Sequence, residues 1–579
     1  MHHSTSNKLA TLLQLNKALI PALLCSSALT LTTACSSPQS AVTAATETSA
    51  SALTEQAFFE QRTALIIKHS HHDGTFAALQ GLVNPQDPES AEYWRWRIDQ
   101  YLYGQYPEYQ PIYDAYTAGK SFREIYALPE ENLGPKKKLP SKLPALPAGH
   151  FSDNLQGNPH TGWHDFSNNK VYIVYQGKLT DPYIASYDLT TQQWDGPYKA
   201  AESTLSKGDR KIDSHGRPVI EQDSLGHFHI IYGGHGGERE DGLNPMSFDT
   251  PHAGGRMLHV VSEKPNDISS FKQVNDITPF ASYTASHKMA NGDIYLFTRA
   301  GTHKSPWVYY KMKSGNKTFE PPVEITWPTP QIGDPITVDT HYIKPEKVSD
   351  TEIAISYLWH ACNFKEIHNK QNYGRLNAYY MKLDTTDDTF YNANNEKLTL
   401  PITIAASNQM TLAYDSEKHG ETSFSTTPLV LENGQAAVAY QVRAPGIREW
   451  RMTSFADGKW THSQPLPGTE NRTLTDSTGK PVANMINLEL VGGNSSSNQA
   501  MVLYKTSKGD AVFASASRAN ANSQDWRIVE DHLSVAKARM EMSPVRNETG
   551  DTVAVILNVR KGAAQRLYLW QDGKFQPKG

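Results

Sequence analysis

The chain has 579 residues, enough for one large domain or several smaller ones, and a formal charge of −5. That mild acidity argues against a general nucleic-acid binder, which needs a basic face to neutralise phosphates. Hydrophobic content of 38% with 28 Tyr, 38 Gly and 34 Pro suits a turn-rich, β-leaning chain, and no apolar run beyond the amino terminus is long enough to span a bilayer.

Residues 1–35 carry Lys8 and Lys17 and no acid, followed by the apolar "ALIPALLCSSALTLTTAC". This pattern predicts an export signal. "LTTAC" places Ala34 before Cys35 as in a lipoprotein processing site. Thr32 suits that motif poorly, so cleavage further on, near "AVTAA", stays open. The expected product is exported, either lipid-anchored through Cys35 at the outer membrane and cell surface or secreted, and a monomer. Residues 36–55, rich in Ser, Thr and Ala, read as a flexible tether. Residues 56–149 read as a helical extension ending in a Pro/Lys linker. "TEQAFFEQRTALIIKH" and "SAEYWRWRIDQYLYG" space apolar side chains for amphipathic helices, and "GPKKKLPSKLPALPAG" (Gly134–Gly149) breaks any helix.

From residue 150 to 579 the pattern changes and repeats. Opening strands are predicted at "KVYIVY", "HFHIIY", "DIYLFT", "EIAISY", "QAAVAY", "QAMVLY" and "DTVAVIL". Each is followed by a second strand, a polar turn and an aromatic: Trp194, Phe271, Phe319, Phe390, Trp460, Trp526 and Phe575. Seven such units predict an all-β fold, a seven-bladed β-propeller in which each aromatic is buried between neighbouring sheets. A β-sandwich gives no reason for seven similar units.

Propellers bind ligands where loops of several blades converge, so loop-borne polar residues are the candidates. "DSHGRPVIEQDSLGHFHIIYGGHGG" holds His215, His227, His229 and His235 around one strand. His227 and His229, two apart, share a strand face and read as hydrogen-bonded packing residues, as does His259. His215 and His235, framed by glycines and Arg217, read as functional. Glu221 and Asp223 read as solvated turn residues. Of the cysteines Cys25, Cys35 and Cys362, only Cys362 is left unexplained by the amino-terminal signal. It stands between His360 and His368, with His303 at the equivalent place one blade earlier. One thiolate and three imidazoles fit a closed tetrahedral zinc site, so His303, His360, Cys362 and His368 are the expected ligands of a structural Zn²⁺, with His341 as the substitute.

"HGRPVIEQDSLGHFHIIYGGHGG", "SYTASHK" (Ser282–Lys288), "YLFTRAGTHK" and "WHACN" together resemble the ulvan lyases of polysaccharide lyase families 24 and 25, nearer to family 25. The resemblance covers roughly residues 150–579. It implies a seven-bladed propeller that cuts ulvan, a sulfated rhamnose–uronate polysaccharide, by β-elimination at the uronic acid, with a structural zinc. It also implies that His215 and His235 are active-site histidines, Tyr283 the catalytic tyrosine, Arg299 the partner of the uronate carboxylate and Tyr342 a further active-site tyrosine against substrate; Arg217, beside His215, is read as a substrate-binding residue. Such a reaction needs a base for the C5 proton, an acid for the leaving oxygen and a cation on the carboxylate. His215 as base and Tyr283 as acid is one division; the reverse is the other. Two further readings stay open: a sialidase-like glycosidase, which "FADGKW" and "QDGKF" only echo, and a non-catalytic glycan-binding propeller.

Overall fold

The computed structural model describes parts of residues 53–117 and, with interruptions, residues 142–578. The export signal, Cys35, His303 and His368 lie outside the described residues. In the extension, helix Gln110–Thr117 presents Tyr116, whose ring stacks on Phe58 at 4.0 Å. Among the described residues, no helix is long and apolar enough to cross a membrane.

Among the described residues, seven β-sheets, almost wholly antiparallel, follow one another along the chain. The first comprises Trp163–Asp165, Lys170–Gln176, Pro182–Asp188 and Gln193–Lys199 in sequential order. The second holds Val219–Gln222, Phe228–Gly233, Met257–Ser262 and Phe271–Val274. The third holds Ser282–Lys288, Ile294–Arg299, Trp307–Met312 and Val323–Thr326. The fourth is built on Asp334–Lys347, Glu352–Asn363 and Gly374–Asp384, and the fifth on Thr422–Val430, Ala436–Ala444 and Ile447–Ala456. The sixth centres on Gln499–Lys505 and Ala511–Ser517, the seventh on Arg539–Arg546, Thr552–Lys561 and Ala564–Gln571.

Each strand foreseen as opening a unit proves to be preceded in its sheet by another strand. Ser282–Lys288, for example, pairs with Ile294–Arg299. Its sequence, SYTASHK, lacks the apolar run that marks its neighbour, so periodicity gives no signal there.

Continuous apolar strands arise because both faces of these sheets are covered. In Lys170–Gln176, Val171, Ile173 and Tyr175 pack with Val545, Ile556 and Leu567 of the seventh sheet. The alternate residues Tyr172 and Val174 pack with Phe228 and Ile230 of the second sheet. Likewise Ile294 and Leu296 meet Val219 and Ile231, while Tyr295 and Phe297 meet Ile355 and Tyr357 of the fourth. A period of two thus sends neighbours to opposite cores, and each such side chain contributes roughly 1.5–3 kcal/mol on burial. The seven unit-closing aromatics fall one to a cluster, as in Phe390 within the third–fourth core and Phe319 within the second–third. The segment around the first sheet is tied to the seventh sheet and the residues after it. Phe151 N donates to Leu567 O at 3.0 Å, Leu155 N to Gln565 O at 3.0 Å, and Trp194 Nε1 to Gln576 O at 3.2 Å.

Candidate active site

Two glycine-dependent contacts bring the functional residues of the second and third sheets together. Gly233 N donates to Gly216 O at 2.9 Å, closing the strand end on the segment that carries His215. His235 N donates to Ala281 O at 2.8 Å, which ties His235 to the start of the Tyr283 strand. Gly234 has φ +75, and a Cβ there would lie 2.0 Å from Ala281 O, so no larger residue fits that crossing.

Tyr283 is aimed by a bulge. Phe297 pairs with Ala285 and Arg299 with Ser282, so Tyr283 and Thr284 together face the single residue Thr298. Bulges of this kind redirect side chains next to active sites. Tyr283 has φ 58 and His235 φ 59, a left-handed backbone that a bulky non-glycine residue adopts at a cost of about 1–3 kcal/mol.

The side chains then converge. The rings of His215 and His235 stack with centroids 4.1 Å apart. The Tyr283 ring stands edge-on to His215 at 5.2 Å and to His235 at 6.1 Å. The Arg299 guanidinium carbon lies 4.6 Å from the Tyr283 ring centroid and 5.4 Å from that of Tyr342. Arg299 is only 1% exposed, and its Nε donates to Ser282 Oγ and Gly301 O, both at 3.2 Å. Its Nη1 is buried with no hydrogen-bond partner among the described residues. A buried cationic donor left this way costs free energy until an anion meets it. Arg217 is exposed, and its carbonyl accepts from Thr284 Oγ1 at 3.1 Å. The sequence-read residues His215, His235, Tyr283, Arg299 and Tyr342 therefore occupy one neighbourhood. Together they can take a proton, give one and neutralise a carboxylate.

Sequence reading missed other members of this neighbourhood. Trp307 lies 6.2 Å from Tyr283, fixed by its Nε1 donating to His341 O at 2.8 Å. The Arg375 guanidinium carbon lies 4.2 Å from the Tyr342 ring centroid. Arg375 pairs with His360 near the start of its strand, a proximity that only the folded sheet creates.

The remaining histidines of the second sheet are interior. His227 Nδ1 donates to Ser262 O at 2.8 Å. His229 bridges Asp223 at 3.1 Å and His259 at 2.9 Å, and His259 reaches Asp276 at 2.8 Å. Burial holds the His229 pKa below its ordinary value. Asp223 is not a solvated turn residue. Burial opposes its charge, but donors from His229 and the His227 and Leu225 backbones outweigh burial and lower its pKa. Glu221 is also buried, in a strand opposite His229, and burial pushes its carboxyl up to about 7. Asp223 is thus engaged by the sheet interior.

At the expected metal position His360 and Cys362 are both fully buried. Two apart on Glu352–Asn363, they project from one face of the strand. His341 does not: it pairs with Trp359, so it lies on the opposite face from His360. There it packs edge-on to Tyr357 at 5.2 Å, and burial drives its pKa down to about 3. The substitute-ligand role is excluded by strand parity.

"Ulvan Lyase-PL25" of Pseudoalteromonas sp. (strain PLSV) is 39% identical over 276 residues, 46% of this chain and 55% of that protein. An ulvan lyase of Alteromonas sp. (strain LOR) is 36% identical over 294 residues, 49% of this chain and 58% of that one. The chain spans little more than half the length of these curated relatives in the matched regions. A solved PL25 ulvan lyase bound to -[GlcA(1-4)Rha3S]- superposes with TM-score 0.58 at 28% identity, covering 74% of this chain and 97% of that one. The resemblance read from the motifs reappears in all three. The family described as "BNR repeat-containing family member" matches residues 170–466, half of the chain, and this chain belongs to it.

Proposed function

We propose that this protein is an ulvan lyase, cleaving a sulfated rhamnose–uronate polysaccharide by β-elimination at the uronic acid. The observation that carries the reading is the position of Tyr283, whose ring touches both the His215 ring, at 5.2 Å, and the Arg299 guanidinium, at 4.6 Å. Base, acid and carboxylate partner thus lie within the span of one monosaccharide. The identity to ulvan lyases supports the same reading. Neither a hydrolase nor a mere binder is favoured by any feature of the site.

In the proposed reaction the uronate carboxylate meets Arg299, whose buried guanidinium pairs with it bidentately. That pairing lowers the free energy of the enolate-like intermediate, a donor of this kind contributing roughly 3 kcal/mol. His215 removes the C5 proton. The electron pair forms the C4–C5 double bond, the C4–O bond breaks, and Tyr283 gives its proton to the leaving oxygen. His235, stacked on His215, assists at the carboxylate; Arg217 and Tyr342 complete the substrate contacts. The reverse assignment of His215 and Tyr283 conserves the same atoms.

The seven sheets are read as the seven blades of a propeller. Supporting this are their sequential order, the cores shared by most successive sheets, and the packing of the first sheet on the seventh. His303, His360, Cys362 and His368 are proposed to hold a structural Zn²⁺. Two fully buried donors on one strand face fit such a site. Zinc held there by four protein ligands acts as a clamp. Export, with a lipid anchor at Cys35 or by secretion, and a monomeric state complete the proposal.

Incubation with ulvan tests it. A lyase generates unsaturated uronates that absorb in the ultraviolet, a hydrolase generates reducing ends without that absorbance, and a binder generates neither.

A further inference from the structure

The site does not end at Tyr342. Beyond it, aromatic rings and guanidinium groups continue to alternate across the fourth and fifth sheets. Arg375 lies 4.2 Å from the Tyr342 centroid and 4.6 Å from that of Phe424, and Arg443 lies 3.2 Å from the Phe424 centroid. The row therefore reads Tyr283, Arg299, Tyr342, Arg375, Phe424, Arg443, and it crosses three sheets.

Two features mark its far end as built. Ser423 pairs with Val442 and Thr426 with Tyr440, so Phe424 and Ser425 face the single residue Gln441. The same irregularity aims Tyr283 in the third sheet, and in both places the first bulged residue is an aromatic under an arginine of the next strand. The guanidinium groups are also oriented: Arg375 Nη1 donates to Phe424 O at 3.1 Å, and Arg443 Nε donates to Gln441 Oε1 at 3.0 Å. All three side chains are half-buried. Three like charges spaced along one row repel one another, and a polymer bearing regularly spaced anions relieves that repulsion. Planar guanidinium groups suit oxyanions, and an aromatic face suits the apolar side of a sugar ring.

We propose that Arg375, Phe424 and Arg443 form a second anion subsite, which holds the sulfate ester of a sugar next to the uronate on Arg299. This rests on the lyase reading for the placement of the uronate. It assigns to the fifth sheet a part in substrate recognition, and it makes specificity depend on the spacing between carboxylate and sulfate.

The test uses the full chain carrying His215→Ala, so that polymer is bound and not cut. Affinity for ulvan, desulfated ulvan and carboxyl-reduced ulvan is compared with and without Arg443→Gln or Phe424→Leu, the two variants guarding against a fold defect in either. The expected result is about a tenfold loss of affinity for ulvan in each variant, the size of one charge-assisted contact, and no further loss on the desulfated polymer. Unchanged affinity for ulvan, or an equal loss on sulfated and desulfated polymer, overturns the proposal. A loss that vanishes only on carboxyl-reduced ulvan overturns the sulfate assignment in favour of a second carboxylate. Because binding is the readout, these results stand apart from product formation by the unsubstituted chain, whose absence sinks the lyase reading alone.

Discussion

The imidazole rings of His215 and His235 lie 4.1 Å apart with their planes 24° from parallel. Their backbones come from the same end of an antiparallel strand pair, where Gly233 N donates to Gly216 O, so main-chain hydrogen bonding brings the two rings together. One sugar placed against the stack is reached by both rings and by Tyr283, which stands edge-on to each.

His215→Ala and Tyr283→Phe should each lower the rate of ultraviolet-absorbing product formation by roughly 10²–10⁴-fold, the usual contribution of a general acid or base. Unchanged circular dichroism and melting temperature are expected alongside. Retained activity in either variant removes that residue from the mechanism.

Gly234→Ala is predicted to act on both stability and rate. The added Cβ meets Ala281 O at 2.0 Å and the residue must keep φ +75. A destabilisation of roughly 1–3 kcal/mol is expected, together with a fall in kcat as His235 leaves its place beside Tyr283. A variant of full stability and activity would show that this crossing does not position the site.

Glu221 gives a pH signature. Its folded carboxyl titrates near 7 because of burial, against an ordinary 4.5. The folded state therefore holds a proton that the unfolded chain has already released. Its relative stabilisation is present below pH 4.5 and is lost as pH rises through about 7, by up to about 3 kcal/mol. Glu221→Gln should flatten the stability profile across that window and be the more stable protein above pH 7. Parallel profiles would contradict this.

Cys362→Ser tests the proposed metal. Elemental analysis should find about one zinc per chain in the unsubstituted protein, and the variant should lose both the zinc and several degrees of melting temperature. A metal-free protein of equal stability ends that reading.

Much of the fold was legible because both faces of these sheets are buried. Strands such as KVYIVY and DIYLFT advertise themselves, and the aromatic closing each unit lands in its own core. The strand that begins each sheet was hidden, since polar, bulged segments such as SYTASHK carry no period. His215, His235, Tyr283 and Arg299 could be read because short motifs carry them. Arg375, Phe424 and Arg443 could not, because their stacking joins strands distant in sequence. Asp223 looked solvated because QDSLG spells a turn, yet the turn folds inward onto His229. His341 looked like a ligand until pairing with Trp359 fixed its face.

The most direct measurement is the structure of the full-length His215→Ala protein with an ulvan oligosaccharide bound. The account predicts a uronate carboxylate paired with Arg299, its C5 hydrogen turned toward the vacated imidazole position, and its C4 oxygen within hydrogen-bond reach of the Tyr283 hydroxyl. A sugar seated with its carboxylate away from Arg299, or with Tyr283 out of reach of C4, would contradict it.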